Sequence, residues 1–331
     1  MNNPFLSDTF IKIWNKHFNK NITPIKFNFI SDITFIKQKF LPVYKNIGLN
    51  LTNGISYTLK NINSISDFKN KVFLIYDVPT YFKINQLNQY SKLKLKKSNQ
   101  YEGVLTDLSN YESFDDFFLT KFKSKSRYNI KKKKKILEKE FNISYSVYDN
   151  NITSEQYEFL SKHLKTLITN RFNSLKENNQ VISTWRYYEE LMLPMLKEKR
   201  AVIITVNNNN IPIGMTFNFL SDSILFYAIT TFDINYLKYN IGHTTILEIT
   251  KWCFNNNKKI IDFSKGDTEY KGRWQTDKYL FQNHILYDSS SIKASLLALL
   301  IYNYFNLKQY LREIKINVLF SKLKYIFNTN K

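Results

Sequence analysis

Ala201-Val202-Ile203-Ile204-Thr205-Val206, the polar turn Asn207 to Asn210, Ile211 to Leu220, the turn Ser221-Asp222-Ser223 and Ile224 to Thr230 form the stretch that decides the architecture. Three apolar segments joined by short polar turns predict an antiparallel meander. Pro212 and Gly214 predict an edge position or a bulge at the start of its second strand. A loop carrying Asp233, Tyr236 and Tyr239 then leads into Asn240-Ile241-Gly242-His243-Thr244-Thr245. Ile246, Leu247, Ile249, Cys253 and Phe254 have helical spacing, so a helix follows and ends at Asn255 to Asn257. Lys259 to Phe263 reads as a buried strand, closed by Ser264-Lys265-Gly266.

That order suits the binding of an anionic, extended ligand. The helix start at Gly242 to Thr245 offers unpaired N–H groups and the positive end of the helix dipole. Gly242 permits close approach of a pyrophosphate, and Thr244 or Thr245 adds hydroxyl donors. The third strand, with Ile224, Tyr227 and Ile229, and the strand after the helix are expected to separate at their ends. The freed main-chain groups would suit an arm such as pantetheine. A glycine before a helix reads equally as a turn, and only its place between these two strands favours the ligand.

Outward from this stretch, 331 residues with 43% hydrophobic and 16% aromatic side chains can bury a full core. The single cysteine, Cys253, excludes an intramolecular disulfide and a cysteine-cluster metal site. The four histidines are scattered (His17, His163, His243, His284), so no helix-borne zinc pair and no metal are expected. The start Met1-Asn2-Asn3-Pro4 lacks the pattern of an export signal, and the apolar runs are too short for a spanning helix. A soluble, cytoplasmic protein is the expectation, with peripheral membrane contact through the tail from Ser291 as a further option.

The net charge of +21 invites a polyanion. Only six of 48 basic residues are arginine, however, and enrichment of lysine, asparagine and isoleucine fits AT-rich coding, so sequence-specific nucleic-acid binding is not expected. The sharpest cluster is Lys121, Lys123, Lys125, Arg127 and Lys131 to Lys135, in a helix predicted over Phe114 to Lys139 with Ser113 as N-cap. It reads as a solvated face or as a docking surface for phosphates of a cofactor, lipid carrier or tRNA.

Further helices are predicted at Phe10 to Phe18, from Thr153 (with Gln156 at capping-box spacing) and at Trp185 to Glu198. Strands are predicted at Ile55 to Leu59, Val72 to Val78, Val104 to Leu108 and Ile143 to Tyr148, with 60–70 and 83–101 as polar connectors. His163 sits in an apolar helical stripe and reads as a packed histidine rather than a ligand.

The order strand, Asp233-x-x-Tyr236-x-x-Tyr239-x-x-Gly242, helix, Ile261-Asp262-Phe263-x-x-Gly266, Tyr270-Lys271 and Trp274 resembles the CelD-type (polysaccharide-associated) branch of the GNAT acetyltransferases. Lys125-Ser126-Arg127, continuing to Leu137-Glu138, resembles the start of the same module, and the likeness covers roughly 113–275. Members resemble the Fem-type transferases, which pair two GNAT-like domains. The resemblance therefore implies an α+β fold with a mixed sheet. It divides the chain into a degenerate GNAT-like domain (1–112), an acyltransferase domain with the cofactor cleft (113–290) and an amphipathic helical tail (291–331).

The activity implied is transfer from acetyl-CoA or another acyl-CoA to an amine or hydroxyl of a cell-surface or polysaccharide precursor. A Fem-like aminoacyl-tRNA-dependent transferase and a non-catalytic scaffold of the same fold remain open. The usual Gln/Arg-x-x-Gly-x-Gly/Ala phosphate loop is absent, with Gly242 alone in its place. Asp262 reads as general base or acceptor-orienting group, or equally as a cap of the turn after it. Lys271 would stabilise the oxyanion or bind an acceptor phosphate, or is a surface lysine. Tyr270 would protonate the leaving thiolate, or simply packs. His243 is disfavoured as a base at a helix N-terminus. Arg127 would pair with Asp262 or with a phosphate, and Tyr236, Tyr239 and Trp274 belong to the implied substrate side.

Overall fold

The computed structural model describes residues 2–60, 65–85, 92–266 and 269–314. The tail beyond 314, and the parts of the two polar connectors at 61–64 and 86–91, lie outside the described residues. In chain order the elements begin with α1 (Asp8–Phe18), β1 (Ile30–Ser31), β2 (Phe35–Lys37), β3 (Val43–Asn46), β4 (Thr58–Leu59), β5 (Val72–Pro79) and β6 (Leu93–Asp107). Next come α2 (Phe114–Lys121), α3 (Ser124–Glu140), β7 (Ile143–Tyr148), α4 (Ser154–Leu175), α5 (Gln180–Ser183) and α6 (Trp185–Lys197). They are followed by β8 (Ala201–Asn208), β9 (Ile211–Leu220), β10 (Ile224–Phe232), α7 (Ile241–Asn255), β11 (Ile260–Lys265), α8 (Glu269–Trp274), β12 (Asp277–Asp288) and α9 (Ile292–Glu313). The class is α+β with mixed sheets and a C-terminal helix, as the sequence implies.

Two compact units partition the chain, one formed by 1–21 and 103–278, the other by 22–102 and 279–331. The sequence-based division instead cuts at 112 and 290. In the first unit the end of β6 pairs antiparallel with β11, and β11 pairs parallel with β10. From β10 through β9 and β8 to β7 all pairs are antiparallel, which is the expected meander with one strand added. β9 is interior and not an edge. Pro212 and Gly214 mark instead a register shift against β8, between Val206 and Asn207.

One sheet face of this unit packs on α2 and α7 through Val202, Leu225, Ile246, Ile261, Phe263 and Trp274. On another patch Phe5 meets Phe219 and Phe226 edge-on at 5.0 and 5.2 Å, which places the N-terminal segment in this unit. α4 opens on the predicted capping box: the Thr153 side chain accepts from the Gln156 N–H, and Gln156 Oε1 accepts from the Thr153 N–H. His163 is packed as expected, stacked on Phe159, with Nε2 at 2.7 Å from the Pro212 carbonyl.

The basic helix differs from its prediction. Phe122 and Lys123 are extended and split it into α2 and α3. Neither is a helix breaker; Phe122 leaves the helix to pack edge-on against Trp274 at 4.9 Å. In the second unit β2, β3, β5 and β12 form a mixed sheet. α9 covers Val43, Val72, Leu74 and Ile285 of that sheet. β6 begins at Leu93, inside the stretch read as a connector.

Candidate active site

β10 and β11 pair only at Ile224/Ile260, Leu225/Ile261 and Phe226/Asp262. β10 nevertheless runs on to Phe232 and β11 to Lys265, so the two strands part after the third pair. Each carries an extra residue just past that point. In β10 the register against β9 slips between Tyr227 and Ile229, and in β11 the register against β6 slips between Asp262 and Lys265. Bulges bend and twist the strand that bears them, so paired bulges drive the strands apart. Ile224 lies at the closed end of this fork, while Tyr227 and Ile229 lie beyond it.

The β11 bulge has a visible cause. Ser264 is left-handed (φ 63°), and its N–H donates to Asp262 Oδ1 at 2.6 Å. Asp262 is fully buried. Lys271 Nζ donates to the Lys265 carbonyl at 3.0 Å and the Gly266 carbonyl at 3.4 Å, fixing the strand end. α8 is tied to β6 by the Thr106 hydroxyl, which donates to the Trp274 carbonyl at 2.7 Å.

The α7 tip lies beside the fork. Asn240 is its left-handed N-cap (φ 56°) and makes no side-chain cap bond. Its carbonyl accepts from the N–H groups of His243 and Thr244. The N–H groups of Ile241 and Gly242 have no acceptor among the described residues. A Cβ added at Gly242 would meet nothing within 4 Å, so the space above the tip is open. The Thr245 hydroxyl donates to the Ile241 carbonyl and is spent inside the helix.

Two cavities share Asn240 and His243. The larger, about 520 Å³, is ringed by Lys121, Lys123, Lys125, Lys133 and Arg273, with Thr244. The smaller, about 230 Å³, is lined by Arg171, Tyr227, Thr230, Gly242 and Tyr270. Neither has a carboxylate among its described lining residues.

The Tyr227 hydroxyl donates to Thr230 Oγ1 at 2.7 Å and neighbours that of Tyr270. Burial pushes the Tyr227 pKa well up, and burial also raises that of Tyr270 against the lowering effect of Arg171. Both are therefore protonated at neutral pH. His243 Nδ1 accepts from the Trp274 indole N–H at 2.9 Å, so the neutral ring carries its proton on Nε2.

The remaining expected site residues lie elsewhere in the unit. Arg127 donates to the Leu119 and Phe122 carbonyls at the end of α2. Tyr236 accepts from Asn208 Nδ2 at 2.9 Å, and Tyr239 donates to Glu140. Both rings pack on Phe141. Of the basic cluster, Lys121, Lys123, Lys125 and Lys133 line the larger cavity, while Lys131 and Lys134 line a separate groove with Glu112 and Asp115.

Arg171 and Arg273 were not foreseen. Arg171 comes from α4, where nothing local marks it, and its guanidinium sits 4.4 Å from the Phe232 ring centre. Among the described residues no carboxylate pairs with it. A usable signal existed, since two of only six arginines reach the α7 tip.

The mixed sheet thus forks beside an open helix tip, with cations on one side and protonated tyrosines on the other. Residues 124–272 match the family described as acetyltransferase (GNAT) domain. This stretch of the chain is similar to that family. No curated protein matches the chain. Among solved structures, a conserved protein of unknown function from Bacteroides thetaiotaomicron is 10% identical, with a TM-score of 0.55 over 86% of this chain and 92% of that one. L-PGS from Bacillus licheniformis (9%, TM-score 0.48, 84% of this chain and 88% of that one) and FemX (10%, TM-score 0.48, 77% and 83%) are also similar. At these identities the likeness to the Bacteroides structure is one of fold.

Proposed function

We propose that the unit formed by 1–21 and 103–278 is an acyl-CoA-dependent N- or O-acyltransferase of the CelD-type branch. Its donor is acetyl-CoA or another acyl-CoA, and its acceptor an amine or hydroxyl of a cell-surface or polysaccharide precursor. One observation carries the reading: β10 and β11 part after Phe226 and Asp262 beside a tip whose Ile241 and Gly242 N–H groups have no acceptor among the described residues and where a Cβ on Gly242 would meet nothing within 4 Å. The residues present fit such a substrate. Lys121, Lys123, Lys125, Lys133 and Arg273 would hold its phosphates, and the main chain of β10 beyond the fork would hold its arm.

An acyl-CoA supplies an activated thioester carbonyl. Attack by the acceptor's amine or hydroxyl would form a bond to that carbon and break the carbon–sulfur bond; the acceptor sheds one proton and the departing thiolate takes one up, so the transfer is proton-neutral overall. Tyr270, with Tyr227 behind it, holds a proton at its hydroxyl and is the group assigned that donation. Asp262 and Lys271 serve by holding the fork open. Tyr236, Tyr239 and Arg127 brace the α7 tip and the α2 end.

The test is thermal unfolding with acetyl-CoA, longer acyl-CoAs and desulfo-CoA. At about 100 times Kd a ligand adds about 2.7 kcal/mol. A rise of several degrees is expected, and no rise with any of them would sink the proposal.

The aminoacyl-tRNA reading draws on one observation, the exposure of Lys125, Lys131, Lys132 and Lys135 along α3. It requires tRNA binding that weakens steeply with salt.

A further inference from the structure

Helix α9 is apolar on two sides. Ala294, Ala298 and Phe305 pack inward on Val43, Val72, Leu74 and Ile285. Ile292, Leu296, Leu300, Tyr304, Leu307 and Tyr310 face outward and are 57 to 87% exposed. At 100° per residue these six fall in one stripe about 120° wide. Isolated exposed leucines are ordinary, but an apolar stripe over five turns, interrupted by the exposed Asn303, marks a surface that another phase or molecule covers.

Cations edge this stripe. β6 runs beside α9: Ser98 donates to Asn306 at 2.7 Å, Lys96 Nζ lies 5.2 Å from the Tyr302 ring centre, and Arg312 lies 4.0 Å from that of Tyr101. Lys94, two residues from Lys96 and so on the same face of the strand, is exposed, as are Lys293 and Lys308 on the helix. The two segments of this unit, 22–102 and 279–331, hold 19 basic and six acidic residues. A second copy of the chain would bring like charges together, and 315–331, with four lysines and no acid, would do the same. An anionic surface satisfies both the stripe and its edge. Among the described residues no helix is long and apolar enough to cross a membrane, so contact would be in the interface plane.

We propose that α9 is a peripheral docking face that seats its outer stripe at the headgroup–acyl boundary of an anionic bilayer. This inference is independent of the acyl-transfer reading.

The full chain is tested by co-sedimentation with phosphatidylcholine vesicles carrying none or about 30 mol% phosphatidylglycerol. Partition is expected to be at least about tenfold stronger on the anionic vesicles and to fall as salt rises from about 0.1 to 0.5 M. The double variant Leu296→Glu/Leu300→Glu, with both sites solvent-exposed, should lose about tenfold or more of that partition while keeping its circular dichroism spectrum. Lys94→Glu/Lys96→Glu should lose a similar factor without touching the stripe, which keeps the test decisive if the first variant folds poorly. Equal binding to neutral and anionic vesicles, no binding, or a dimer in sedimentation that Leu296→Glu/Leu300→Glu dissolves would each overturn the proposal.

Discussion

A Cβ built on Gly214 of β9 would lie 2.6 Å from Ile241 Cγ2 and 3.0 Å from Thr245 Oγ1. The glycine therefore lets the first turn of α7 press directly onto the sheet, and that contact sets the height of the tip beside the fork. Gly242, one turn away in space, is the reverse case, because nothing in the protein requires its lack of a side chain. The protein itself would gain from alanine there, by up to about 1 kcal/mol of helix propensity. Gly242→Ala should thus melt at the same temperature or slightly higher, while its affinity for acyl-CoA drops about tenfold or more because the new methyl fills space a phosphate needs. Calorimetric titration against the unaltered protein checks this, and equal affinity would remove the tip from the site.

Elements, more than single side chains, make the cleft. Asp262 occupies the last position at which β10 and β11 pair, and by accepting the Ser264 N–H it holds the left-handed residue that turns β11 away. Asparagine retains an oxygen acceptor at that place, so Asp262→Asn should stay within about 1 kcal/mol of the parent in stability and within about tenfold in turnover. Asp262→Ala strands the part-buried Ser264 N–H and should cost about 1 kcal/mol. A loss of about 10² or more in kcat for a stably folded Asp262→Asn would instead make the carboxylate a proton acceptor. Steady-state kinetics beside urea unfolding separates the two.

The sequence predicts β7 and β9 to the residue, the capping box of α4 and the strand, helix, strand order behind the fork, because each of these rests on local pattern. It misses the first half of β6, where the alternation of Lys92-Leu93-Lys94-Leu95-Lys96 is short and the buried positions that follow are the polar Ser98 and Gln100. The α2/α3 break is equally silent, since what draws Phe122 out of the helix is Trp274, 152 positions downstream. Arg171 reaches the cavity from α4 through tertiary packing alone.

At the scale of the whole molecule, the unit that carries the fork is assembled from both ends of a long excursion, 22–102, so composition shifts along the chain do not reveal its limits. The other unit holds an acid-sensitive group, His284 of β12. Its ring is buried, with Nδ1 at 2.7 Å from the Tyr57 hydroxyl and Nε2 at 3.1 Å from Gln282 Oε1, a set that suits the neutral ring. Burial, and secondarily the charge of Lys97, lowers its pKa to about 3. In the unfolded chain the value is about 6.5, so below that pH the unfolded state binds a proton the folded state refuses. The stability this depressed pKa contributes is complete above about 6.5 and is lost as pH falls towards 3, at up to about 1.4 kcal/mol per pH unit. Between those values, amides of β5 and β12 should lose hydrogen-exchange protection before those of β8 and β9, which belong to the other unit. His284→Gln removes the titrating group and should flatten that acid dependence, even where it lowers stability at pH 7. An unchanged acid slope in His284→Gln, or β8 and β9 opening first, would assign the acid sensitivity to groups other than this ring.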